Sequence, residues 1–302
     1  MAINLYNIKK WLKMLTGKSI YHVNQDLGKQ FIPGELRGYF NNMTEKVTKA
    51  PELLNSETLP TLKIQSGEEV YFPVAIFQYG LGAYDLFLET QEDVYKAKFK
   101  QCVDWALAKQ EESGAWSNFF FSSPDKPYGA MCQGEGASLM LRAYKLFADE
   151  TYFESAKKAI DFMLIDIKAG GTANYVDDGI MLMEFTNQAA VLNGWIFALF
   201  GLYDMTIVCD DEKYTKAYGM SLALLEQYVP VFDNGYWSLY DLDKKLASPF
   251  YHNLHIAQMQ ALYMATGKEV FNTYLKKFEV YASKRRNKTK AFLKKAIQKI
   301  RE

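Results

Sequence analysis

The chain has 302 residues, 35 Lys+Arg against 35 Asp+Glu, 49% hydrophobic and 15% aromatic residues, and 3 Cys. This length and apolar fraction supply a sizeable core and exclude the intrinsically disordered, collagen-like and disulfide-scaffold classes. Cys102, Cys132 and Cys209 are odd in number and show neither CxxC nor Cys/His metal spacing, so no disulfide framework and no bound metal is expected, and a reducing compartment fits best.

Residues 1–18 open an N-terminal extension, read over 1–60, with four lysines, no acid and apolar positions that include Ile8, Trp11, Leu12 and Leu15. No apolar run reaches signal-peptide or transmembrane length there or later, and the expectation is a soluble, cytoplasmic protein. From residue 61 the chain is repetitive. GLGAYDLFL, LMLRAYKLF, LFGLYDMTI and QALYMATGK place Tyr84, Tyr144, Tyr203 and Tyr263 at intervals of 60, 59 and 60 residues. After each Tyr come a polar turn and a second amphipathic stretch, as in Tyr152–Leu164, where Phe153, Ala156, Ile160, Met163 and Leu164 recur at helical spacing. Each unit reads as a helical hairpin. The predicted fold is therefore mostly α, an α/α toroid of about four hairpins over 61–283, incomplete relative to an (α/α)6 barrel.

The tail over 284–302 is predicted as a basic helix. Residues 276–302 hold eleven basic and two acidic side chains, a net +9, and residues 1–18 add +4, which leaves −13 for residues 19–275. Such an acidic body argues against nucleic-acid binding. The tail reads as a solvated helix, or as a contact with an acidic polymer or with the inner face of an anionic membrane, for which the basic, apolar N-terminus would be a second anchor. A twofold dimer is the base-rate expectation for assembly.

Long connections precede the first helix of each unit and are rich in aromatic residues, so they are predicted to gather at one end of the toroid: Gly67–Gln78, Gly114–Gly134, Gly170–Asn193 and Asn234–His255. Trp116 and Trp237 fall two repeats apart in GAWSN and GYWSL. Flat rings beside amides and charges suit a sugar, whose faces are apolar and whose edges need hydrogen bonds. The run Phe119, Phe120, Phe121 reads rather as a plug.

Two groups of residues stand out for chemistry. Tyr236–His255 supplies hydroxyl, carboxylate, ammonium and imidazole groups, with His252 and His255 one helical turn apart but without the HExxH pattern of a zinc hydrolase. Glu184 stands among apolar residues before a helix expected to be buried, where burial would raise its pKa. No GxGxxG, GxxxxGK[ST] or GxSxG occurs, and GEGAS at Gly134–Ser138 follows no strand and carries no weight as a phosphate loop.

The phrases YFPVAIFQYGLGAYD, PYGAMCQGEGASLMLRAY, EFTNQAAVLNGWIFALFGLYD, SLYDL and FYHNLHIAQMQAL, in this order from about Arg37 to Ser283, resemble the C-terminal catalytic domain of the D-glucuronyl C5-epimerases. The resemblance implies conversion of D-glucuronate to L-iduronate in a heparosan-like polysaccharide, without a cofactor, in a compact form expected beside capsule or exopolysaccharide genes. It implies that Tyr251, Tyr240 and Glu184 are catalytic, with Tyr251 and Glu184 exchanging protons across the sugar. Tyr128, Gln133, Asn193, His252 and His255 fall in the matching motifs and are expected to bind substrate, with Trp237 on the aromatic mouth and Lys244 as a source of positive charge. Two positions depart from the family: Phe185 stands where its phrase has a tyrosine, and Asp243 where it has an arginine. The alternatives are a lyase, a hydrolase pairing Glu184 with Asp241 or Asp243, and a non-catalytic glycan-binding protein.

Overall fold

The computed structural model describes residues 22–301, with side chains placed through residue 298. The basic segment read over 1–18 lies outside the described residues.

Two short helices, α1 (Thr44–Thr48) and α2 (Pro51–Leu54), precede an antiparallel hairpin of β1 (Thr61–Lys63) and β2 (Glu69–Tyr71) with Leu62 opposite Val70. Eight longer helices follow as four hairpins: α3 (Pro73–Thr90) with α4 (Asp93–Lys109), α5 (Ala130–Phe147) with α6 (Glu150–Met163), α7 (Leu192–Val208) with α8 (Glu212–Tyr228), and α9 (Pro249–Thr266) with α10 (Glu269–Ser283). A second β-hairpin, β3 (Ala173–Val176) and β4 (Gly179–Leu182), stands between α6 and α7, and α11 (Arg285–Arg301) follows α10. The fold is mostly helical, as the repeat predicts. No helix among the described residues is long and apolar enough to cross a membrane.

The two helices of a hairpin differ in how they are buried. In α3 every residue from Pro73 to Leu86 is buried, and in α5 every residue from Ala130 to Ala143. Their partners bury only a stripe, such as Tyr152, Ala156, Ala159, Ile160 and Met163 of α6. The more deeply buried helices α3, α5, α7 and α9 neighbour one another in that order. They form an inner row.

Two of the repeat tyrosines, Tyr144 and Tyr263, mark where their inner helices stop. Ala148 and Gly267 take left-handed conformations, φ 53° and 66°, and donate their N–H groups to the carbonyls of Tyr144 and Tyr263. The two phenols then reach across the turn to Glu150 and Glu269, each at 3.2 Å. In the third unit Tyr203 accepts the Gly34 N–H instead.

Residues 31–50 belong to the same core rather than to a separate extension. Phe40 stacks on Phe200 with centroids 4.0 Å apart, and the Tyr39 N–H donates to Asp85. Arg142 of α5 donates to the carbonyls of Arg37 and Gly38 and pairs with Asp204 of α7 at 2.6 Å, both side chains only 1% exposed. Ser138 donates to the same carboxylate. The two helices come close enough for this because a Cβ on Gly201 would lie 2.2 Å from the Gly134 carbonyl oxygen, a contact that only glycine permits.

Candidate active site

A cavity of about 700 Å³ opens where the four long connections meet. Its wall takes Phe72 and Gln78 from the first, Phe119 and Phe121 from the second, Glu184 and Asn193 from the third, and Phe250 and Tyr251 from the fourth. The connections predicted to gather do converge. Of the Phe run, Phe119 and Phe121 line this wall while Phe120 is exposed.

Local structure explains the placement of each group. Glu184 follows β4 by two residues, beside Met183, whose carbonyl receives the Ala130 N–H and so ties the start of α5 to this point. The Glu184 carboxyl lies on the first turn of α7: a Cβ on Gly194 would sit 2.2 Å from its Oε2, so the glycine makes room for it. Oε2 has no hydrogen-bond partner among the described residues, and burial pushes the carboxyl up to about 8. Tyr251 stands in the first turn of α9, where Pro249 takes the opening position and Ser248 Oγ accepts the Tyr251 N–H at 3.3 Å. Tyr240 packs against it with ring centroids 5.0 Å apart, held in place because its carbonyl accepts the Leu192 N–H and its N–H donates to Lys245. Burial first, and then the charge of Glu184, raise both phenols above the ordinary tyrosine range. They are therefore neutral O–H donors at ordinary pH.

The remaining side of the wall comes from the N-terminal segment. Lys46 of α1 lines the cavity while only 5% exposed. Behind the wall, Glu135 of α5 accepts a hydrogen bond from Gln78 Nε2 at 2.8 Å. Burial pushes Glu135 up to about 8 and Lys46 down to about 8, each opposed by the charge of the other.

The sequence model of a family described as "D-glucuronyl C5-epimerase C-terminus" matches residues 110–280, more than half of the chain. This chain belongs to that family. The D-glucuronyl C5-epimerase of Caenorhabditis elegans is 30% identical over 187 residues, 52% of this chain and 30% of that protein. The uncharacterized protein MJ1128 of Methanocaldococcus jannaschii is 30% identical over 156 residues, 50% of this chain and 51% of that protein. The matched part of the chain thus spans about a third and about half of the lengths of these relatives.

Of the positions carried over from the C5-epimerase motifs, Glu184, Asn193 and Tyr251 line the cavity, and Tyr240 backs Tyr251. Others do not reach it. Ser238 Oγ lies 2.8 Å from Nδ1 of both His252 and His255, and His252 Nε2 lies 3.1 Å from the Phe278 carbonyl. Trp237 stacks on His252 at 3.7 Å and donates its indole N–H to the Ala247 carbonyl. Burial lowers both imidazoles, His252 to about 3. This buried brace takes the place of the substrate contacts expected of Trp237, His252 and His255.

Gln133 is likewise spent inside the fold, exchanging two hydrogen bonds with the Trp116 backbone. Tyr128 donates to Glu111 at 2.6 Å and is not on the wall, and Lys244 sits on an exposed turn at φ 62°. Phe185, where the C5-epimerase phrase has a tyrosine, stacks on Phe119 at 4.5 Å and makes this part of the wall apolar. Sequence reasoning missed Lys46, Gln78 and Glu135. Glu135 had a visible signal, an acid between two glycines in a helix rich in apolar residues; Lys46 had none, since TEKVT reads as a surface turn of helix.

Proposed function

We propose that this protein is a uronate C5-epimerase that converts D-glucuronate to L-iduronate within a polysaccharide such as heparosan, in the synthesis of a capsule or exopolysaccharide. The observation that carries the reading is that Glu184 and Tyr251 line the same cavity, within the segment that matches the C5-epimerase family. C5 of a uronate lies α to a carboxylate, so epimerisation needs a base on one face, an acid on the other, and stabilisation of the enolate-like intermediate between them. Glu184, whose carboxylate is made more basic than an ordinary one by burial, removes the C5 proton. Tyr251, neutral and backed by Tyr240, returns a proton to the opposite face. The reverse reaction exchanges the two roles. No residue at position 185 is required for this pair, which accommodates Phe185.

The carboxylate arrangement favours this reading over hydrolysis. Asp241 pairs with Lys245 at 3.1 Å and Asp243 is exposed, so neither faces Glu184 across the cavity. The test is NMR of heparosan incubated with the protein in heavy water and followed at H5. Loss of the H5 signal with new iduronate resonances is expected, and Tyr251→Phe or Glu184→Gln is expected to slow exchange by about 10²–10⁴-fold while polymer still binds. Unsaturated, ultraviolet-absorbing ends would identify a lyase, and binding without exchange by the unaltered chain would identify a glycan-binding protein.

A further inference from the structure

The reaction proposed above needs more than a base and an acid. The substrate brings a carboxylate into the cavity, and removal of the C5 proton delivers further negative charge onto those same oxygens. A buried site must oppose that charge with a cation or with hydrogen-bond donors. The lysines nearest the SLYDL phrase do not do so: Lys245 pairs with Asp241, and Lys244 sits on an exposed turn.

The geometry points to Lys46 as the residue that receives the substrate carboxylate, an assignment that rests on the epimerase reading. Lys46 is the one Lys or Arg on the cavity wall among the described residues. It comes from α1, more than sixty residues before the start of the family match at residue 110. Its position is built rather than incidental. α1 lies flush on α3 because Gly82 has no side chain: a Cβ there would come 2.4 Å from the Met43 carbonyl oxygen. Met43 and Val47 on either side are buried at 0% and 1% exposure, so the lysine between them is carried into the interior.

Glu135 and Gln78 complete the arrangement from behind. Gln78 holds Glu135 at 2.8 Å, Gln78 is also on the wall, and Glu135, when ionised, favours the ammonium form of Lys46 against burial. Glu135 Oε2 has no hydrogen-bond partner among the described residues. A carboxylate arriving from the substrate adds a second anion beside Lys46 and favours the same charged form. The ammonium then faces the oxygens on which charge develops when Glu184 takes the C5 proton, and a charge-assisted contact there is stronger than a neutral one. Lys46 thereby acts on both binding and rate.

The test uses the full chain and two ligands, a glucuronate oligosaccharide and the same oligosaccharide with its carboxyls reduced to alcohols. The unaltered protein is expected to prefer the uronate. Lys46→Met is expected to lose about tenfold or more of that preference and to slow H5 exchange by about 100-fold, the scale of losing one oxyanion donor. Lys46→Arg restores part of both. Folding is checked by circular dichroism, and if Lys46→Met does not fold, Lys46→Gln, which keeps a polar tip beside Glu135, is judged by the same two numbers. A folded Lys46 variant that keeps the uronate preference and exchanges at the unaltered rate overturns the assignment while leaving the epimerase reading intact. An unaltered chain that neither binds nor exchanges glucuronate overturns both.

Discussion

Glu184 ties activity and stability to the same proton in opposite directions. Its carboxyl is raised from an ordinary 4.5 to about 8 by burial. As the C5 base it must be ionised, so H5 exchange is expected to climb as pH rises through about 8, and the climb is expected to vanish in Glu184→Gln. For stability the sign reverses. A group bound more tightly to its proton in the folded state contributes stability that is fully present below 4.5 and lost as pH rises through about 8, and Glu135 behaves likewise. Glu184→Gln is therefore expected to raise the denaturation midpoint above pH 8 even as it slows exchange, and urea titrations at two pH values will check the midpoint. A substitution that lowers the midpoint there would remove the argument from burial. That Glu184 is buried was legible in MLMEF, because an acid amid apolar residues just before a buried helix has nowhere else to go. That His252 and His255 brace Ser238 was not, because imidazoles one helical turn apart look the same whether they face substrate or a hydroxyl.

At the scale of elements, the contact between α5 and α7 carries the greatest concentration of buried charge. Arg142 meets Asp204 and three backbone carbonyls, those of Arg37, Gly38 and Ser138, with both charged side chains only 1% exposed. Removing one partner of such a pair leaves the other charge buried and alone. Arg142→Ala is expected to cost about 3–5 kcal/mol in urea denaturation, enough to threaten a fold of ordinary stability. A loss below about 1 kcal/mol, the level of an exposed pair, would show that Asp204 finds another partner. The hairpins themselves were readable because a sixty-residue interval repeats three times and the turn chemistry repeats with it. Arg142 and Asp204 were not readable as partners: each looks like an ordinary charge at the polar end of its helix, and only the glycine contact between Gly134 and Gly201 shows how close those helices run.

At the scale of the whole molecule, charge is the organising feature. α11 lays Lys290 over the Tyr236 ring at 3.9 Å and Lys295 over Tyr240 at 5.8 Å, and Tyr240 in turn packs against Tyr251 of the cavity. The basic helix thus reaches the cavity only through Tyr240 and Tyr251, and it lies on an otherwise acidic body. We propose that α11 holds the polyanionic chain as it runs past the site. Lys288→Gln with Lys290→Gln and Lys294→Gln is expected to weaken binding of long heparosan and flatten its salt dependence by about three counterions, with short oligosaccharides unaffected. An unchanged salt slope would rule this track out, and co-sedimentation of the unaltered chain with anionic vesicles in the same series would transfer the helix to a membrane role.

One feature of the N-terminal segment sets the order in which this molecule can be made. Gly34 hydrogen-bonds to Tyr203, 169 positions later, and Arg37 and Gly38 wait for Arg142. These are contacts between the first and later parts of a nascent chain, and their long loops must close before they contribute anything. Glu184 and Tyr251 come much later in the chain, so the segment carrying Lys46 leaves the ribosome well before the groups that share its cavity. A piece cut to the boundaries of the family match would begin at residue 110, with Arg142 deprived of its acceptors on Arg37 and Gly38 and the cavity open on the side that Lys46 fills.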